Sequence, residues 1–135
     1  MRNILYAGAA MLLGATIASS AVAADTTGEM LYMDGCATCH GAAGMGHGPM
    51  AEFMSTKVPD LTLLSQENDG VYPMLKVIQT VDGRTGVRGH GSEMPVWGSQ
   101  FKAESVGDAG VYGAEVIVRG RILSLALYVQ SLQAE

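Results

Sequence analysis

The five residues Cys36-Ala37-Thr38-Cys39-His40 constrain this chain more than any other stretch, because they hold both of its cysteines. Two thiols on one short loop, with an imidazole directly after the second, suit three chemistries: a redox disulfide, a metal site, or a covalently held haem. A redox Cys-x-x-Cys pair usually opens a helix after a strand in a βαβ setting, and no strand pattern precedes Cys36. Zinc would draw on Cys36, Cys39 and two of His40, His47 and His90. Against it, the adjacent side chains of Cys39 and His40 converge poorly on one small tetrahedral ion. Cys-x-x-Cys-His is the attachment signature of c-type haem. Its two thiols add across the porphyrin vinyl groups, and the imidazole that follows is offered to iron. Of the three, haem fits best.

The start of the chain reads as an export signal. Arg2 is followed by an apolar run from Ile4 to Ala18, and small residues close it in SSAVAAD. Ala21 and Ala23, or Val22 and Ala24, fit a signal-peptidase site. The expected organisation is a signal peptide over 1–24 and one domain over 25–135. The alternative is an uncleaved anchor, since residues 4–24 are just long enough to span a bilayer. No cysteine lies near the cleavage site to carry a lipid. Removing residues 1–24 takes away Arg2 alone among the charged residues, so the formal charge moves from −5 to −6. That charge argues against nucleic acid and anionic lipid as partners and favours a partner with a basic docking face.

The mature part reads as helical, with no alternating run long enough for a strand. TGEMLYMDG predicts a short helix capped by Thr26 or Thr27 and stopped by Gly35. Residues 41–49 hold four glycines and a proline, which predicts a loop. Asp60 should cap a short helical turn. DGVYPMLKVIQTVDG predicts a helix with Val71, Leu75, Ile78 and Val81 on one face and Gly83 at its end, followed by a glycine-rich loop over roughly 84–98. From about Ala114 to Leu132 the stripe Ala114, Val118, Ile122, Leu125, Val129, Leu132 predicts a core-facing helix. Val116, Leu123 and Leu127 form a second stripe opposite. Gly120 lies in that stripe, either simply tolerated or marking a close approach.

Several of these segments together resemble the class I c-type cytochromes of bacteria, small single-haem electron carriers. GEMLY is similar to the family's first helix, CHGAAGMGHGP to its haem loop, and ILSLALYVQSL to its closing helix. VPDLT and HGSEMPVWG are similar to segments of a bacterial subgroup. The resemblance implies an all-α, small cytochrome c fold of three to five helices wrapped around one covalent haem c and its iron, in a periplasmic protein. It departs from many relatives at His47, where they carry Asp. Gly28 and Tyr32 should then pack against Tyr128 where the first and last helices cross.

Iron needs a second axial ligand besides His40. Seven methionines remain after cleavage, and most methionines fill cores. Met94 stands out by context, with Pro95 after it and Gly91 and Gly98 flanking, in a long loop distant from His40. His90 is the alternative, and chain reach alone leaves Met54 open. The resemblance makes the residue before this proline, Met94, the thioether ligand. It also implies that the Pro49 carbonyl accepts from His40 Nδ1. Arg84, Arg88 and Trp97 are candidate donors to the haem propionates, which are anionic and need donors when partly buried. The expected role is electron transfer, since His plus Met saturate the iron. The alternatives are a haem enzyme or gas or peroxide sensor with a labile Met94, and a cytochrome subunit docked on a larger oxidoreductase.

Overall fold

The computed structural model describes residues 26–87 and 93–134. The expected signal segment, Arg88 and His90 lie outside the described residues. Four helices, α1 (Thr26–Gly35), α2 (Ala37–His40), α3 (Met74–Asp82) and α4 (Trp97–Ser131), are joined by loops with three single 3₁₀ turns. No strand occurs among the described residues, so the fold is all-α, as expected.

α1 begins with Glu29 in its first turn, where a carboxylate complements the helix dipole. Its buried residues are Gly28 and Tyr32, one turn apart on the face that meets α4. A Cβ on Gly28 would collide with the Ser124 carbonyl oxygen, so the two backbones touch at this crossing. The Tyr32 ring lies 5.2 Å from that of Tyr128, and its hydroxyl donates to the Gly41 carbonyl at 2.7 Å. The first and last helices therefore cross as expected, and the same tyrosine ties that crossing to the loop after His40.

α3 departs from its expected phase. Pro73 sets its start, and the buried residues are Val77 and Val81, with Met74 and Ile78 packed beside them. Val71 precedes the helix, and both it and Leu75 are exposed. Gly83 ends the helix in a left-handed conformation, donating to the Gln79 carbonyl.

The largest difference is α4, expected from about Ala114 and found from Trp97. Its backbone breaks at Gly110, at φ 66° and ψ 177°, a conformation reserved almost wholly for glycine. In a straight helix Glu104 and Arg121 would stand about 25 Å apart at 1.5 Å per residue. Instead their side chains pair at 2.7 Å, and the Arg121 guanidinium lies 5.2 Å from the centre of the Phe101 ring. The two arms of α4 therefore fold back on one another about Gly110. The arm after it buries Ala114, Val118, Ile122, Leu125 and Val129, the expected stripe, while Leu132 packs at its edge. Val116, Leu123 and Leu127 are exposed, and nothing approaches a Cβ built on Gly120, so that glycine is simply tolerated.

Candidate functional site

The motif forms the α2 turn directly after α1. Cys36 N donates to the Tyr32 carbonyl at 2.8 Å and His40 N to the Cys36 carbonyl at 2.8 Å, so the helical path continues through both cysteines. The glycine-rich loop then folds back on the turn. Gly46 N donates to the His40 carbonyl, Gly48 N to Cys39 and Met50 N to Thr38. These bonds satisfy the last carbonyls of α2, which a helix end otherwise leaves without partners.

His40 is buried. Its Nδ1 faces the Pro59 carbonyl oxygen at 3.3 Å. This corrects the expected acceptor: Pro49 is exposed and belongs to the turn in which Ala51 N donates to Gly48. The segment directly after Pro59 is held by two sets of bonds. Asp60 caps the following turn, accepting from the Thr62 amide at 2.9 Å and from its hydroxyl at 2.6 Å. Gln133, beyond the end of α4, donates to the Leu61 carbonyl at 2.7 Å.

A cavity of about 280 Å³ opens beside this ring, lined by Tyr32, Cys36, His40, Leu64, Val77, Val81, Met94 and Leu125 among others. A smaller cleft is lined by Gly35, Cys36, Cys39, His40, Met54, Lys57, Met94 and Trp97 among others. Cys36, His40 and Met94 border both spaces, so the loop that follows α3 does bring Met94 to the motif. Both thiols are free of a disulfide. Burial pushes the Cys36 thiol up to about 12, and the neighbouring Cys39 adds to the effect. A thiol so protonated is a poor exchange nucleophile, which counts against the redox-pair reading. Among the described residues no three His, Cys, Asp or Glu side chains gather as a metal site, so zinc has no support there.

The remaining expected residues divide. Trp97 is buried, lines the smaller cleft, and stacks over Gly35, the residue before Cys36. Arg84 lines neither space. Its guanidinium is bound to Asp82 and, at 2.8 Å, to Glu115 on the second arm of α4, so it serves as a clamp rather than a propionate donor. Arg88 lies outside the described residues. The cations that do line the two spaces are Lys57 and Lys76. Sequence reasoning also missed Glu93, which accepts from the Ser55 amide at 3.1 Å, the Ser55 hydroxyl at 2.5 Å and the Thr56 amide at 3.1 Å. Its position directly before Met94 was the one available signal.

The donor set suits a haem. Two thiols, a buried imidazole fixed through one nitrogen, and a thioether border one largely apolar space. No curated protein and no solved structure matches the chain. A family model described as cytochrome c matches residues 26–107, 82 of the 135 residues. That stretch contains the motif, Pro59, Met94 and most of the first arm of α4, and the chain belongs to the cytochrome c family, whose members carry covalent haem c and its iron and use it for electron transfer.

Proposed function

We propose that the chain is an exported single-haem electron carrier of the bacterial class I type. In this reading Cys36 and Cys39 hold the haem, and His40 and Met94 are its axial ligands. One observation carries it: Cys36 and His40 of the motif and Met94, from a segment far along the chain, border the same cavity. The haem, when bound, supplies the reversible one-electron couple. The chain's own residues do the rest. The Pro59 carbonyl accepts from Nδ1 of His40, which fixes the tautomer and makes the opposite nitrogen the better ligand. Val77, Val81 and Leu125 wall the cavity and exclude water. Trp97 closes the side next to Gly35. His40 and Met94 would together fill the iron's coordination and leave no position for a substrate, so the bound haem would serve electron transfer alone. Residues 1–24 act as the export signal for the periplasm, and no helix of the described residues is long and apolar enough to cross a membrane.

A second reading, a cytochrome subunit docked on a larger oxidoreductase, draws on the exposed stripe Val116, Leu123 and Leu127 of α4. Attachment itself is tested by extraction of the exported protein with acid acetone. The porphyrin should stay on the polypeptide, and Cys36→Ala should reduce the yield of holoprotein. Release of the porphyrin from the wild-type chain would overturn the covalent assignment.

A further inference from the structure

Met94 is fastened on its C-terminal side by the fold itself. Pro95 and Val96 follow it, and Trp97 then starts α4 as a buried residue against Gly35. On its N-terminal side, among the described residues, the Glu93 side chain supplies a fastening. The Glu93 carboxylate reaches across to residues 55 and 56 and takes three hydrogen bonds there. That segment lines the same cleft: Met54, Thr56, Lys57 and Val58 border it together with Glu93, Met94 and Pro95. Three residues on from Thr56, Pro59 holds the His40 ring.

We propose that Glu93 is a positioning residue for the iron ligand, a latch that joins the Met94 segment to the segment supporting His40 and so keeps the thioether in place. The proposal rests on the assignment of Met94 as a ligand. Glu93 is exposed, and water competes for exposed hydrogen bonds, so the effect is moderate rather than decisive. Two features keep it from vanishing. Two of the three donors are backbone amides, which lose no rotamer freedom when they bond. The acceptor is also a carboxylate, whose hydrogen bonds are stronger than those of a neutral group.

The test uses the ferric holoprotein and imidazole as an incoming ligand, whose binding must wait for Met94 to leave the iron. Glu93→Ala should raise the imidazole-binding rate about tenfold and weaken the sulfur-to-iron band in the far red. Ser55→Ala, which removes one donor of three, should raise the rate by about twofold. In the Glu93→Ala background, Ser55→Ala should add nothing, because the interaction is already gone. Glu93→Gln retains an acceptor oxygen and should fall between wild type and Glu93→Ala. Glu52→Ala, an exposed carboxylate on the neighbouring turn, controls for the change in net charge and should leave the rate unchanged. Equal rates in Glu93→Ala and Glu52→Ala, with the band present in wild type, would overturn the latch alone. A wild-type ferric protein that lacks the band would overturn the ligand assignment, and the latch with it.

Discussion

The His40 imidazole takes its orientation from a carbonyl nineteen residues further along the chain. A backbone acceptor has no side-chain signature, which is why the motif was legible and its support was not. Cys36, Cys39 and His40 announce themselves because they are contiguous, and Met94 because a proline and glycines frame it. Pro49 and Pro59 both follow the motif at plausible distances. Only the folding back of residues 41–48 onto α2 decides between them. Arg84 shows the opposite error, for its charge suggested a haem partner while two carboxylates had already claimed it. The Arg84 hydrogen bond holds the Asp82 carboxyl below the usual carboxylate range. Because the folded state binds this proton less tightly than the unfolded chain, where such a group titrates near 4, the clamp stabilises fully above about pH 5. That contribution is lost as pH falls through 4 and below. Arg84→Ala should therefore cost about 1 kcal/mol at neutral pH. Urea unfolding of the two proteins should show the gap closing in acid. A gap independent of pH would mean that the clamp acts through packing alone.

Among the elements, the helix crossing and the reversal of α4 make opposite demands on glycine. At Gly28 an added methyl would meet the Ser124 carbonyl and Tyr128 Cβ, so Gly28→Ala must part α1 from α4 and should destabilise by about 1–3 kcal/mol. At Gly120 nothing approaches within 4 Å, and Gly120→Ala should stabilise by up to about 1 kcal/mol through helix propensity alone. Gly110→Ala should cost about 1–3 kcal/mol, because alanine is strained at that backbone conformation. Thermal unfolding of the three variants separates these expectations by sign, and a stabilising Gly28→Ala or a destabilising Gly120→Ala would contradict the packing described. The second arm of α4 was legible because five of its six buried residues, Ala114, Val118, Ile122, Leu125 and Val129, repeat at helical spacing. The first arm was not, since Gly98, Gly107 and Gly110 weaken the local signal. Its helix rests instead on tertiary contacts, Trp97 on Gly35 and Phe101 beneath Arg121. The phase of α3 was misread for a similar reason: a regular set of apolar residues was available, but Pro73 starts the helix too late for Val71 to join it.

For the molecule as a whole, helices at the two ends of the domain close a core around a space bordered by residues from α1, α2, α3, α4 and the Met94 loop. A net charge of −5 for the full chain, and −6 without residues 1–24, gives it a negative average field. Electron transfer to a basic partner should then slow as ionic strength rises, chiefly through the second-order rate constant, since the screening length is about 8 Å at physiological salt. Stopped-flow mixing over a salt series measures this. A flat or rising rate would point to apolar docking instead, with Val116, Leu123 and Leu127 as the first side chains to replace. The central claim, however, is the pairing of His40 and Met94 across one covalent haem. The most direct measurement is the optical and magnetic circular dichroism spectrum of the ferric protein, recorded for wild type and Met94→Ala. A low-spin spectrum with a far-red sulfur-to-iron band that disappears in Met94→Ala, as the iron opens to cyanide, is the expected result; a band that survives in Met94→Ala, or a wild-type spectrum of a high-spin or bis-histidine haem, would contradict it.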